Sequence, residues 1–145
     1  MTVDDRLKLD NQLCFAIYAC SREVTKLYRP MLDELGVTYP QYLVLLVLWE
    51  KDEVTVKELG DRLYLDSGTL TPLLKRMEAA KLVVRKRSGD DERKVMISLT
   101  EEGKALQSQA CTVPERLVEQ SGLSVEAFTR LLHDFKGLLA QVRGK

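Results

Sequence analysis

Cysteines are the most reactive side chains in this sequence of 145 residues, which contains Cys14, Cys20 and Cys111. They form no CxxC pair and have no spacing to a histidine that is typical of a metal site, so we expect neither a metal nor another cofactor. An odd number of cysteines in a reducing compartment also argues against a framework of structural disulfides. The pattern therefore predicts three free thiols.

A basic segment runs from Lys75 to Lys94 in a chain whose formal net charge is zero. The segment contains eight basic and four acidic residues, so it carries a charge of +4 and the rest of the chain carries −4. A basic stripe on an otherwise acidic body is typical of a surface that meets nucleic-acid phosphates. Charge alone is equally compatible with an ordinary solvated face, so the local structure must decide.

Two short helices separated by a tight turn are predicted before and across the start of the basic segment. Thr55 with Glu58 forms a capping box for the first helix, and Asp66 or Ser67 can cap the second. This arrangement indicates a helix-turn-helix, whose second helix places small or polar residues of its N-terminal end against base edges in the major groove. The alternative is an interior helix pair beside an incidental hairpin. The candidate DNA contacts on the second helix are Ser67, Thr69, Thr71, Pro72, Lys75 and Arg76.

A β-hairpin, or wing, is predicted after the second helix. Residues 82–87 and 94–99 are rich in β-formers, and the stretch between them is charged and turn-forming. We expect Arg93 at the tip to enter the minor groove, with Asp91 holding that arginine in place. The basic residues of the strands should face the DNA backbone. The candidate wing contacts are Arg85, Lys86, Arg87, Asp91, Arg93 and Lys94.

Two long helical seams lie at opposite ends of the chain. Apolar residues recur in steps of three and four from Leu13 to Met31 and again from Phe128 to Val142. A winged core of about 70 residues cannot cover both seams, so we expect them to pack on each other and on a second copy of the chain. The sequence therefore predicts a two-fold symmetric homodimer.

The fold class that follows is mainly α with a small β-hairpin wing. We expect a winged helix-turn-helix dimerised through its N- and C-terminal helices, built as a single domain of residues 1–145. In this layout residues 1–36 and 101–145 form the dimerisation helices, and residues from about 38 to 100 form the DNA-binding lobe. The helix that starts near Thr38 is apolar on nearly all sides, so it should be central.

Several stretches of the chain resemble known regulators. The segment DERKVMISLTEEG, which begins at Asp91, resembles the wing signature of the multiple antibiotic resistance regulator (MarR) family, whose members are dimeric winged-helix transcription factors. The stretches NQLCF, YRP, TYPQY and LDSGTLTPLLKRM, which begin at Asn11, Tyr28, Thr38 and Leu65, resemble the organic hydroperoxide resistance regulators more narrowly. The resemblance covers nearly the whole chain up to about Pro114 and is weaker beyond it.

The resemblance implies a peroxide-sensing role for Cys14. In that subfamily a cysteine of the first helix is the sensor, and it matches Cys14; the tyrosines that hydrogen-bond it match Tyr28 and Tyr39. On one straight helix Tyr28 lies about 21 Å from Cys14, so the contact requires the tyrosine of a partner chain. Tyr18 lies one turn from Cys14 and can line the pocket from within the subunit.

Sensing requires a thiolate, because the neutral thiol is a poor nucleophile. We place Cys14 about ten residues into its helix, too deep for the helix dipole to act, so tyrosine hydroxyls are the expected stabilisers. The resulting sulfenic acid can form a mixed disulfide, a sulfenamide or overoxidised products. We favour trapping by a low-molecular-weight thiol over a bridge to Cys111, the candidate resolving thiol. Cys20 falls on the seam and is expected in the core.

The expected function is a redox-sensing repressor, and not an enzyme, that binds double-stranded operator DNA when reduced and leaves it when an organic hydroperoxide oxidises Cys14. Three alternatives stay open. They are a broader redox-responsive regulator of virulence or antibiotic resistance, a repressor induced by a phenolic ligand, and a thiol peroxidase, which the basic helix and wing argue against.

The sequence also predicts a cytoplasmic protein without a membrane partner. Its longest uncharged apolar run, Tyr42 to Trp49, is far shorter than the roughly 20 residues that a bilayer requires. The first ten residues are acidic and polar, unlike a signal peptide.

Overall fold

The structure of the protein is a computed structural model that describes residues 3–87 and 94–144. Within these residues the chain is mainly helical, with one small antiparallel sheet. The elements in chain order are α1 (Val3–Arg6), a 3₁₀ turn (Leu9–Asn11), α2 (Leu13–Leu35), α3 (Tyr39–Glu50), β1 (Val54–Thr55), α4 (Val56–Leu63), α5 (Ser67–Ala79), β2 (Val83–Arg87), β3 (Val95–Leu99), α6 (Glu101–Ala110), α7 (Val113–Ser121) and α8 (Val125–Arg143).

The central helix α3 begins where its capping box predicts. Thr38 accepts a hydrogen bond from the backbone N–H of Gln41, and the Gln41 side chain accepts one from the backbone N–H of Thr38. This reciprocal pair satisfies two N–H groups that a helix start otherwise leaves free. Half of the twelve residues of α3 are buried, as expected for a central helix: Gln41, Tyr42, Val44, Leu45, Val47 and Leu48.

The helix-turn-helix consists of α4 and α5. Thr55 caps α4 through the Glu58 backbone N–H, and Asp66 caps α5 through the Thr69 backbone N–H at 2.7 Å. The turn between them is tight because Gly60 has no side chain: a Cβ there would lie 2.7 Å from the carbonyl oxygen of Leu65. The apolar face of α5 is buried, and it consists of Leu70, Leu73, Leu74 and Met77.

The wing is the antiparallel pair of β2 and β3. Together with β1 they form a three-stranded sheet in the order β1-β3-β2. Val83 pairs with Leu99 and Arg87 pairs with Val95, which fixes the register of the hairpin. Strand β1 has no local sequence signal, because its two residues acquire a β conformation only by pairing with distant residues of β3. The expected positions of Asp91 and Arg93 lie outside the described residues.

The chain divides into two compact units. One comprises residues 29–111 and contains the winged helix-turn-helix, and the other comprises residues 1–28 with 112–145. Gly36, with φ of +73°, ends α2 as its position predicts. Among the described residues, no helix combines the length and apolar character needed to cross a membrane.

The fold makes Gly103, in the first turn of α6, a position that tolerates no side chain. A Cβ there would lie 2.3 Å from the carbonyl oxygen of Leu82 and 3.1 Å from a Leu99 methyl group. We expect Gly103→Ala to lower the free energy of unfolding by about 1–3 kcal/mol, because overpacking forces the backbone to shift. Urea denaturation at one protein concentration measures this.

Gly68→Ala is the matched control, because a Cβ at Gly68 would meet only a carboxylate oxygen of Asp66 at 3.5 Å, an ordinary contact. Equal stability of Gly103→Ala and Gly68→Ala would contradict the assignment of this close approach.

Candidate DNA interface and thiol site

The N-terminal end of α5 presents the polar surface that a base-reading helix needs. Ser67, Thr69 and Pro72 are exposed, and so are Lys75 and Arg76 one to two turns later. The cap sets this end, because the Thr69 backbone N–H donates to the Asp66 carboxylate. The same hydrogen bond lowers the pKa of Asp66 below its ordinary value of 3.8.

Thr71 differs from its neighbours on this helix. It is partly buried, and its hydroxyl donates a hydrogen bond to the carbonyl oxygen of Ser67 at 2.8 Å. The hydroxyl hydrogen of Thr71 is therefore committed to the helix backbone, whereas the oxygen and the methyl group remain for contacts outside it.

A groove of about 660 Å³ lies between the helix-turn-helix and the wing. It brings together one basic residue of α5 and three basic residues of the wing region. The sequence predicts all four of them as DNA contacts. The groove also includes two residues from the start of α4 that sequence reasoning missed, Thr55 and Lys57. The residues that line the groove are Thr55, Val56, Lys57, Thr71, Leu74, Lys75, Arg85, Arg87, Lys94 and Val95.

The five basic side chains of this surface, Lys57, Lys75, Arg85, Arg87 and Lys94, are called the basic groove below. Of these, Arg85 also forms an ion pair with Glu78, with 3.2 Å between nitrogen and oxygen. Lys86 is exposed but does not line the groove, because alternate residues of a strand point to opposite faces. Arg76 is exposed and also lies outside the lining.

A local signal for Lys57 exists in the sequence. It is the second residue of α4, two positions after the Thr55 cap, and free backbone N–H groups at a helix start favour phosphate. A lysine at this position is therefore well placed for the DNA backbone.

Cys14 lies at the start of a helix, which corrects the prediction of about ten preceding helical residues. Helix α2 begins at Leu13, and its first hydrogen bond runs from the Ala16 N–H to the Gln12 carbonyl. Gln12 is extended, and its side chain donates to the carbonyl oxygens of Arg6 and Lys8, both at 2.8 Å. These contacts separate α2 from the preceding turn. Negative charge is favoured in the first turn of a helix, so Cys14 is suitably placed for anionic chemistry.

Tyr18 follows Cys14 by one turn on α2, and both side chains are exposed in the single chain. The guanidinium of Arg22 lies 5.4 Å from the centroid of the Tyr18 ring, a cation–π distance. A phenol and a cation therefore follow the thiol along the same helix.

Tyr28 cannot reach Cys14 of its own chain. The two residues lie in the uninterrupted helix α2, fourteen positions apart, which corresponds to about 21 Å. Tyr39 belongs to the other compact unit. Burial raises the pKa of Tyr39 above 10.0, so its phenol keeps its proton at neutral pH and can donate a hydrogen bond.

The other two cysteines are also free and exposed. Cys20, expected in the core, is exposed in the single chain, because this part of α2 has little covering it. Cys111 follows α6, and its thiol donates to the carbonyl oxygen of Ser108 at 3.0 Å. No group of three or more histidine, cysteine or acidic residues within the described part of the chain could hold a metal ion.

The helix-turn-helix, the wing and the basic groove between them define a winged-helix protein. Residues 26–109 match the family model described as transcriptional regulator SarA/Rot. The chain is 53% identical to the organic hydroperoxide resistance transcriptional regulator of Bacillus subtilis strain 168, and the match covers 97% of this chain and 96% of that protein.

The solved structures include AbfR, a protein of Staphylococcus epidermidis. Reduced AbfR bound to DNA is 36% identical and has a TM-score of 0.77, covering 97% of this chain and 99% of that chain. Overoxidised AbfR bound to DNA is 37% identical and has a TM-score of 0.76, with the same coverage. The chain belongs to the SarA/Rot family of winged-helix transcriptional regulators, and its resemblance to the organic hydroperoxide resistance regulators is confirmed.

We expect Lys57→Ala to weaken DNA binding about equally for all sequences, since a phosphate contact carries no base information. A plot of log affinity against log salt concentration should become shallower by about one unit. Fluorescence anisotropy with a duplex selected from a random-sequence library measures this slope. Lys104→Ala, on α6 outside the groove, is the control; equal slopes for the two variants would contradict the role of Lys57.

The Asp66 cap makes the stability of α5 depend on pH in a defined direction. Because the pKa of Asp66 is lowered in the folded protein, its stabilising effect is present above 3.8 and is lost as the pH falls through the lowered pKa. Asparagine also caps helices but does not titrate. Urea unfolding should show wild type losing stability relative to Asp66→Asn below pH 3.8; a constant difference between the two would contradict the cap.

Proposed function

We propose that this chain is a homodimeric, thiol-based repressor that binds double-stranded operator DNA when Cys14 is reduced and leaves it after oxidation by an organic hydroperoxide. The observation that carries the proposal is the position of Cys14 in the first turn of α2, followed by Tyr18, in a chain that belongs to a family of transcriptional regulators. The name of the relative from Bacillus subtilis supports the inducer class.

The DNA-binding step uses α5 and the basic groove. In this proposal the exposed start of α5 enters the major groove, where Ser67 and Thr69 meet base edges. The basic groove holds the adjacent phosphates, and the wing tip with Arg93 reaches the minor groove. The two solved structures of DNA-bound AbfR support this use of the fold.

The dimer is inferred from apolar surface that a single chain leaves open. Helix α8 contains no buried residue, and six of its large apolar side chains are 37–62% exposed. Soluble monomers rarely leave a contiguous apolar stripe of this kind uncovered. We assign residues 1–36 and 101–145 to the dimer interface and residues from about 38 to 100 to the DNA-binding lobe. The exposed α8 side chains are Leu131, Leu132, Phe135, Leu138, Leu139 and Val142.

The dimer completes the thiol site. Because Tyr28 of the same chain is out of reach, the first phenol proposed to face Cys14 is the partner subunit's Tyr28. We assign the second phenol to the partner's Tyr39. Their hydroxyl groups donate hydrogen bonds to the thiolate, and Tyr18 lines the pocket from within the subunit.

The chemistry needs two reactants besides the protein. The Cys14 thiolate attacks the terminal oxygen of the hydroperoxide, the O–O bond breaks, and the alkoxide takes a proton and leaves as an alcohol. The resulting sulfenic acid condenses with a low-molecular-weight thiol, which gives a mixed disulfide and water. A second thiol that attacks this disulfide restores Cys14.

Release of DNA is assigned to the mixed disulfide. AbfR is found on DNA in its overoxidised form, so oxygen atoms alone are compatible with DNA binding in that protein. A mixed disulfide adds a larger group at the dimer seam. A 100-fold loss of affinity requires a coupling free energy of only about 2.7 kcal/mol.

The match to the SarA/Rot family favours a second candidate function, a broader redox-responsive regulator of many genes. Genome-wide mapping of bound sites separates the two. One site beside a peroxide-detoxification gene supports the narrow regulator, and many dispersed sites support the broad one.

We expect Cys14→Ser to bind the selected duplex like wild type and to lose the response to oxidant. Wild type treated with cumene hydroperoxide and free cysteine should lose about 100-fold in affinity. Anisotropy titrations measure both. Cys20→Ser and Cys111→Ser are matched controls that should lose DNA affinity on oxidation as wild type does. If Cys111→Ser keeps its affinity after oxidation, the sulfenic acid is instead resolved by a disulfide to Cys111.

Two outcomes would contradict the proposal. Full inducibility of Cys14→Ser by a phenol would favour a ligand-induced repressor. Turnover of more than one equivalent of hydroperoxide per Cys14, with a thiol reductant and at a steady rate, would favour a thiol peroxidase.

A further inference from the structure

The base of the wing is a junction of three residues, Leu82, Thr100 and Gly103, where α5, both wing strands and α6 meet. The Leu82 carbonyl oxygen accepts a hydrogen bond from the Thr100 backbone N–H at 3.1 Å. The Thr100 hydroxyl donates to the Lys81 carbonyl oxygen at 2.7 Å and lies 3.1 Å from the Leu82 carbonyl oxygen. The Gly103 N–H donates to the Thr100 hydroxyl oxygen at 3.0 Å. The Leu82 N–H donates to the carbonyl of Met77, near the end of α5. We call these residues the wing-base junction.

Trp49, in the last turn of α3, and Asp52, in the turn that follows α3, make hydrogen bonds to this region. The indole N–H of Trp49 donates to the Gly103 carbonyl oxygen at 3.0 Å. One carboxylate oxygen of Asp52 accepts from the Leu99 backbone N–H at 2.9 Å, at the end of β3, and from the Glu53 backbone N–H at 2.8 Å. The bonds from Trp49 to Gly103 and from Leu99 to Asp52 join positions 54 and 47 residues apart in sequence, so they connect the wing base to the end of α3 and the turn that follows it.

The N-terminal end of α3 carries Tyr39. Between Tyr39 and Trp49 the helix buries Gln41, Tyr42, Val44, Leu45, Val47 and Leu48, and the Tyr42 and Trp49 rings meet edge to face with centroids 6.4 Å apart. Protein interiors are close-packed and transmit displacement instead of absorbing it. A movement of the Tyr39 end of α3 therefore carries its other end along.

We propose that Trp49 and Asp52 are positioning residues that make α3 and the wing base one rigid body, so that a change at the thiol site moves the wing relative to its DNA. This inference rests on the proposed function for the signal at Tyr39. The connection from α3 to the wing rests on two hydrogen bonds, one from Trp49 to Gly103 and one from Leu99 to Asp52.

The test compares variants that remove one bond with a variant that keeps it. Trp49→Phe removes the indole donor and retains an aromatic ring. Asp52→Ala removes the acceptor, whereas Asp52→Asn keeps an oxygen that can accept from Leu99. Circular dichroism and size exclusion verify that each variant folds and has the wild-type oligomeric state.

The measured quantity is the ratio of DNA affinities before and after treatment with cumene hydroperoxide and cysteine. We expect this ratio to fall at least about fivefold in Trp49→Phe and Asp52→Ala and to stay at the wild-type value in Asp52→Asn. The rate at which dimedone labels the Cys14 sulfenic acid should be the same in all four proteins, because the thiol site is untouched.

Full wild-type ratios in both Trp49→Phe and Asp52→Ala would overturn the proposal, as would an equal loss in Asp52→Asn. If one of the two disruptive variants fails to fold, the other still decides. If oxidation leaves the DNA affinity of the wild-type protein unchanged, the proposed function is contradicted instead. The rigid connection would then be tested by affinity of the reduced proteins, which it predicts to be weaker in Trp49→Phe and Asp52→Ala than in Asp52→Asn.

Discussion

The continuity of α2 is the constraint on which the proposed sensor depends. A single helix from Leu13 to Leu35 sets Cys14 in its first turn and Tyr28 near its far end. Because an α-helix rises about 1.5 Å per residue, no rotamer brings these two side chains of one chain together. A thiol site that includes Tyr28 must therefore be shared between two chains. Sensing through such a site requires the dimer.

The winged lobe holds the start of α5 and the β2–β3 hairpin at fixed positions relative to each other, as DNA binding requires. Side-chain caps at Thr55, Asp66 and Thr100 determine where α4, α5 and α6 begin. Helix α3 belongs to this lobe and carries Tyr39 at its N-terminal end. In the proposed mechanism, a change at the thiol reaches the phosphate contacts through α3 and the hydrogen bonds that Trp49 and Asp52 make with the wing base.

The sequence predicted what short-range physics determines. Caps, the apolar face of α5 and the two wing strands depend on residues within a few positions, and they were identified correctly. The start of α2 was placed wrongly because Gln12 ends the preceding turn through contacts with Arg6 and Lys8, a choice of hydrogen-bond partner that periodicity does not reveal. Strand β1 and the place of Lys57 in the basic groove were missed because both arise from tertiary contacts. The sensor pocket itself stays a prediction, since it requires a second chain.

The most direct measurement of the central claim uses mixed dimers with differently tagged chains, and reads the rate of Cys14 sulfenic acid formation. In one dimer a Cys14→Ser chain pairs with a chain that keeps Cys14 but carries Tyr28→Phe and Tyr39→Phe. In the other, a wild-type chain pairs with a chain that carries all three substitutions. A shared site predicts fast oxidation in the first dimer, where the phenols come from the partner, and slow oxidation in the second. The reverse order, or equal rates, would contradict it.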